Sequence, residues 1–253
     1  MINTIEKLKS INNHILAKMV FSDAITFDAD LYDLDQVFEV EPKPKMEFSE
    51  LEFYSIRCGY TLSNLLGLLE QIVKIPSFII KYRSNDITKK YGITRLDDIT
   101  YNFENYIIKY KSLEDRVLLF VNAIFHIGID SNAVNYKLII DNAHIKSNNI
   151  RVAIIDLHKQ IDIFGSQRNK IIHQHSIADS NLRKIEGMLI VSRSDDEIRK
   201  YARNQYRTLI KEFAEKMVPE LEQKNIDVIG IIVRIFDCCT DEYKKQIKML
   251  KNN

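Results

Sequence analysis

Only four prolines and seven glycines punctuate 253 residues. A sandwich or barrel draws heavily on both for its many tight reversals, so this chain has too few turn formers to build one. Long helices joined by short connections are what remains. Isoleucine is abundant, and on propensity alone that argues for strands. The isoleucines, however, recur mostly at three- and four-residue spacings, the period of one helix face. The expected fold is all-α, an antiparallel helical bundle with long central helices.

The elements follow from caps, breakers and apolar spacing. Residues 4–20 read as a helix with Thr4 as its cap and Ile5, Leu8, Ile11, Ile15 and Met19 in one stripe. An acidic stretch from Asp23 to Val40 and the linker EPKPK at 41–45 come next. They set off residues 1–45 as an N-terminal helix and acidic segment, before a bundle over 46–219 and a C-terminal helical extension over 220–253. Ser49 caps a helix expected to end before Pro76. An irregular bridge follows, with Gly92 marking a turn. A helix of about 30 residues, about 45 Å long, then runs from Leu96 to His126. Its apolar positions are Ile99, Phe103, Tyr106, Ile107, Tyr110, Leu113, Val117, Phe120, Val121, Ile124 and Phe125, and Gly128 closes it.

A short helix near 133–142 precedes a third long element, capped by Ser147 and carrying Ile150, Ile154, Leu157 and Ile161. Ser166 is expected to cap a fresh turn beginning at Gln167, and helices are read at 179–191 and 194–218, the second stopping at Pro219. The apolar run NIDVIGIIVRIFDCC (225–239) fits a buried strand or a buried helix. In so helical a chain it is read as helix.

A net charge of +1 gives no global pull toward nucleic acid or membrane, so a polyanion would have to be held by a local patch. Cys58, Cys238 and Cys239 are odd in number, and no CxxC or Cys/His spacing suggests a metal; neither a disulfide framework, a metal site nor a cofactor is expected. The charged N-terminal helix lacks a signal-peptide core, and no uninterrupted apolar run approaches the roughly 18–20 residues of a membrane span. A cytoplasmic protein with no membrane partner is the expectation.

The segment FGSQRNKIIHQHSI (164–177) concentrates the chemistry. Asn169 and His173 are four apart and share a helix face, and Arg168 stands near the helix N-terminus, where unpaired N–H groups also favour an anion. A fixed cation, a titratable imidazole and an orienting amide are a kit for holding a phosphodiester and moving a proton near neutral pH.

RNKIIH resembles the signature of the HEPN superfamily: an Arg, four to six residues, then a His, with a polar residue after the Arg. The resemblance covers roughly residues 50–220. It implies a metal-independent endoribonuclease acting as a homodimer, with two motifs meeting at the dimer cleft. His173 would be general acid or base, Arg168 would neutralise charge developing on phosphorus, and Asn169 would orient. His175 also fits the spacing from Arg168; His173 is preferred because it shares the Asn169 face. Arg151 and His158 fit with six residues between, but Val152 follows the Arg and the pair lies on an ordinary amphipathic helix, so that match is read as accidental.

Arg199, Arg203, Arg207 and Lys211 form a basic stripe at four-residue spacing, with Tyr206 beside it. The stripe is a candidate RNA track. Such stripes are also ordinary solvated faces, and Asp195–Arg199 and Asp196–Lys200 at i, i+4 favour that plainer account. Glu114 is read as a surface acid that could support the motif, and His14, His126, His144 and His158 as structural or exposed. No phosphate-cradling glycine loop or nucleophile elbow occurs. The resemblance to the HEPN superfamily thus implies RNA, a second copy of the chain and a regulatory protein as partners, in a toxin or defence effector. The alternative is a non-catalytic helical dimer that binds protein or RNA.

Overall fold

The computed structural model describes residues 2–29, 48–82, 84–174, 180–193 and 198–252. Among them are eleven helices and no strand: α1 (Ile2–Asn12), α2 (Ile15–Ala29), α3 (Glu50–Ile80), α4 (Asp86–Lys90), α5 (Arg95–Ile124), α6 (Tyr136–Asp141), α7 (Ala143–Lys146), α8 (Ile150–Asp162), α9 (Gly165–Gln174), α10 (Ser180–Val191) and α11 (Ile198–Lys251). The linker at 41–45 and most of the acidic stretch lie outside the described residues; residues 23–29 belong to α2.

Several expected boundaries move, each for a local reason. The N-terminal helix breaks at Asn13–His14, where the His14 Nδ1 accepts from the Leu16 N–H at 3.2 Å and Nε2 meets Asp237 Oδ1 at 3.0 Å. The break rephases the apolar stripe. Leu8 and Ile11 stay buried, but Leu16, Ala17 and Val20 replace the exposed Ile15, and Thr4 lies buried inside α1 rather than capping it.

Ser49 does cap α3, in a reciprocal box: its Oγ accepts from the Glu52 N–H at 3.2 Å, and its N–H donates to Glu52 Oε2 at 2.7 Å. The two prolines expected to stop helices do not. Pro76 lies inside α3 and Pro219 inside α11. An interior proline removes a bond to the carbonyl four residues back, at roughly 3 kcal/mol. Apolar burial continues on both sides of each, with Ile75 and Ile79 about the first and Met217, Val218 and Leu221 about the second. The ambiguous run 225–239 is helical, as part of α11.

Two further caps are reassigned. Ser147 ends α7, its Oγ donating to the Ala143 carbonyl at 3.1 Å, and Asn148 Oδ1 receives the Ile150 N–H at the start of α8. Ser166 is likewise inside α9, which begins at Gly165. The bridge before Gly92 contains α4, capped by Asn85, and Gly92 ends it at φ 65.

The chain divides into two compact units. The first comprises Met1–Thr4, Gln71–Lys111 and Ile161–Ile226. Its core includes Ile79, Ile99, Tyr106, Tyr110, Phe164, Ile185 and Leu221. The second comprises Ile5–Glu70, Ser112–Gln160 and Asp227–Asn253. There Tyr54 stacks on Tyr243 at 5.7 Å between ring centroids and donates to the Ile124 carbonyl at 2.8 Å. Phe236 packs against Phe120 at 5.3 Å. Gly59 of α3 faces Ala24 of α2 so closely that a Cβ would overlap that methyl. α3 is the one helix among the described residues long and apolar enough, by length and composition, to cross a bilayer, although its Tyr54, Cys58, Leu62, Leu65, Leu69 and Ile72 are buried within the fold.

Candidate functional site

The motif helix α9 starts from an aromatic anchor in the first unit. Phe164, buried at the turn after α8, gives its carbonyl to the Arg168 N–H at 2.9 Å and so closes the first turn of α9. Its ring stands edge-on to Tyr106 at 5.9 Å and Tyr110 at 5.5 Å, two rings stacked on each other in α5. The Lys224 Nζ lies 5.2 Å from the Phe164 centroid. The tyrosine hydroxyls extend the anchor into α11. Tyr106 donates to Asn225 Oδ1 at 2.9 Å, and Tyr110 reaches the Lys224 carbonyl at 3.2 Å. Burial holds the Tyr106 hydroxyl pKa well above the usual phenol value, so it acts as a neutral donor.

Arg168 is one turn beyond Phe164 and therefore turns partly inward. It is half-buried, and its Nε is a buried donor without a hydrogen-bond partner among the described residues. The neighbouring Gln167 Oε1 is a buried acceptor in the same condition. An unmet buried polar atom costs roughly 1–3 kcal/mol, and a bound anion would offset that cost for the guanidinium. Asn169, about 100° further round the helix, is exposed. His173 lies in the last turn of α9, in register with Asn169; its side chain is outside the described parts of the structure, and His175 is outside the described residues altogether.

In the basic stripe of α11, Arg199, Arg203, Arg207 and Lys211 are all exposed, while Ala202, Ile210 and Ala214 on the other side are buried. Lys211 pairs with Glu215 at 3.7 Å. Arg203 and Arg207 enter no ion pair among the described residues, and Asp195 and Asp196 lie outside them. Tyr206 is half-buried, with its hydroxyl beside Leu96 and Thr94 at the start of α5. Burial raises its hydroxyl pKa.

A cavity of about 710 Å³ in the first unit is lined by Lys211 of the stripe but, among the described residues, by none of the Arg168–His173 segment. Ile210, Ala214 and Pro219 line it, along with Arg95, which is already committed to the Ile79 carbonyl, to Asp98 at 3.3 Å and to the Tyr82 ring. No group of three or more metal-ligating side chains occurs among the described residues.

In the second unit, Glu114 is buried rather than a surface acid, and takes the His158 Nδ1 at 2.5 Å while Tyr136 stacks on that imidazole at 4.0 Å. Forty-four residues separate the acid from the histidine, so no local spacing in the sequence announces the pair.

A family of Cthe2314-like HEPN domains matches residues 60–229, roughly two thirds of the chain. No curated protein and no solved structure matches it. The matched span includes α5, α8, α9 and α10 and runs into α11, so it takes in the Arg168–His173 segment, the aromatic anchor that holds it and the basic stripe. The chain belongs to the HEPN superfamily.

Proposed function

We propose that this chain is a metal-independent endoribonuclease of the HEPN type, acting as a homodimer in the cytoplasm under the control of a regulatory protein, as a toxin or defence effector would. The observation that carries the proposal is the half-buried Arg168, whose unpaired Nε sits one turn after an anchored Phe164 and beside the exposed Asn169. That is a preorganised cation for a phosphate whose charge grows during attack. In this chemistry the RNA 2′-hydroxyl attacks the adjacent phosphorus, its proton passes to a base, and the 5′-oxygen leaves with a proton from an acid. His173 serves as acid or base in that exchange, Asn169 orients, and the products are a 2′,3′-cyclic phosphate and a 5′-hydroxyl. Arg199, Arg203, Arg207 and Lys211 supply sequence-independent attraction to the RNA backbone.

The test is cleavage of total and transfer RNA in EDTA by the wild type and by His173→Ala at equal dimer content. Cutting by the wild type alone, with cyclic-phosphate ends, supports the proposal. RNA that is bound but left intact by both proteins would favour a non-catalytic binding module.

A further inference from the structure

The cavity of about 710 Å³ in the first unit has the make-up of a small-molecule site, within the roughly 300–1,000 Å³ usual for one. On α11, Ile210, Ala214 and Val218 follow at four-residue intervals and form one row along the helix. The small Ala214 between two larger neighbours makes the hollow in that row. Ile80 at the end of α3, Pro219 and the ring of Tyr82 supply the rest of the apolar wall. Ile80 is 51% exposed, so this wall keeps apolar surface in contact with water.

One cation stands in this wall with donors to spare. The Arg95 guanidinium donates to the carbonyl of Ile79, next to the lining Ile80, and to Asp98 at 3.3 Å. Its Cζ lies 5.2 Å from the centroid of the lining Tyr82 ring. These contacts place the charged end of Arg95, and not only its stem, at the cavity wall. They use two of the five N–H groups of a guanidinium, and Arg95 makes no other hydrogen bond among the described residues. Burial lowers its pKa, as it does for a cation partly stripped of water. The charges around the cavity already answer one another. Arg95 has Asp98, Lys211 pairs with Glu215 at 3.7 Å, and Glu222 has an interaction of its own. An ion entering here would give up its water for a half-apolar space and find no unmatched charge to meet.

We infer that this cavity binds an uncharged amphiphile, an apolar chain ending in a carbonyl that accepts hydrogen bonds from Arg95. The carbonyl meets the donors that remain on the guanidinium, and the chain covers Ile80 and the row of Ile210, Ala214 and Val218. A carboxylate would be repelled by Asp98, on the same guanidinium, and by Glu215, while an ammonium would be repelled by Arg95 and Lys211. All lining residues lie in the first unit, and among the described residues none belongs to the Arg168–His173 segment. The inference therefore holds whether or not the chain cuts RNA.

Calorimetric titration of the full chain with the N,N-dimethyl amides of hexanoic, octanoic and decanoic acid tests it, since each has a carbonyl acceptor and no N–H. Affinity is expected to rise by up to about fourfold for each added methylene. Decanoate and decylammonium are expected to bind about tenfold more weakly than the decanoic amide. Ala214→Leu fills the hollow, its added atoms entering open space rather than the core, and should weaken the decanoic amide about tenfold or more. Arg95→Met removes the donors and should weaken it about tenfold. That change also breaks the tie to Ile79, so Ala214→Leu decides the matter if the methionine variant does not fold. The inference is overturned if no amide binds, if Ala214→Leu binds like the wild type, or if a charged analogue binds as tightly as the amide. A loss of dimer mass in sedimentation on Ala214→Leu would also overturn it, by giving this face to a second copy of the chain.

Discussion

Replacing Phe164 by Leu tests whether the aromatic anchor holds the motif helix. The substitution keeps a large apolar side chain at a site that is 5% exposed, so the loss is mainly in specific ring interactions. Two edge-on aromatic pairs at about 0.5–1.5 kcal/mol each, plus the Lys224 contact at about 0.5–1 kcal/mol, bracket the effect at about 1.5–4 kcal/mol. A cost near 2 kcal/mol is expected once leucine recovers some dispersion, against about 3–5 kcal/mol for Phe164→Ala. Urea unfolding should show a lower midpoint at unchanged slope. A double-mutant cycle with Tyr110→Leu should return a coupling of at least about 0.5 kcal/mol. Amide exchange at Arg168, whose N–H bonds to the Phe164 carbonyl, should quicken more than exchange along α5. A cost below about 0.5 kcal/mol, or full additivity with Tyr110→Leu, would refute the anchor.

Other expectations concern packing, pH and thiol chemistry. Gly59→Ala puts a methyl into the Ala24 methyl and should cost about 1–3 kcal/mol, more than the gain of about 1 kcal/mol in helix propensity; adding Ala24→Gly should restore most of it, and a failure to restore would remove the contact as the cause. Burial pushes the Cys58 thiol up to about 12, and raises the Cys239 thiol and the Tyr54, Tyr106 and Tyr243 hydroxyls. The native state then keeps protons that the unfolded chain has already lost. Stability should be full below about pH 9 and fall toward pH 12, by up to about 1.4 kcal/mol per pH unit for each such group; a urea midpoint at pH 10.5 equal to that at pH 8 would contradict this. At pH 8 iodoacetamide should modify the half-buried Cys238 alone, and Cys58 and Cys239 only after unfolding. Equal labelling of all three in the native protein would show the burial to be wrong.

Periodicity served this chain better than punctuation did. All eleven apolar positions read along the helix expected from Leu96 to His126 are buried, because a stripe of about 30 residues averages over local exceptions. The Ser49 box was legible because both halves of it are three residues apart. Pro76 and Pro219 misled, since a local rule prices the lost hydrogen bond but not the burial that continues past it. Ser147 and Ser166 fit the preferences for a cap, yet Asn148 caps α8 and the Phe164 carbonyl opens α9, inside which Ser166 lies. At the site, the motif and its helix were readable from six consecutive residues. Its support was not: Tyr106 and Tyr110 meet Phe164 from a segment more than fifty residues away. Only folding brings such groups together.

The most direct measurement of the central claim compares two oligonucleotides in EDTA, one all ribose and one carrying 2′-deoxyribose at the position the wild type cuts. If Arg168, Asn169 and His173 promote attack by the RNA's own 2′-hydroxyl, the first is cut to a 2′,3′-cyclic phosphate and the second stays whole at that site. Cleavage of both at equal rates would contradict the account, because the nucleophile would then come from outside the RNA.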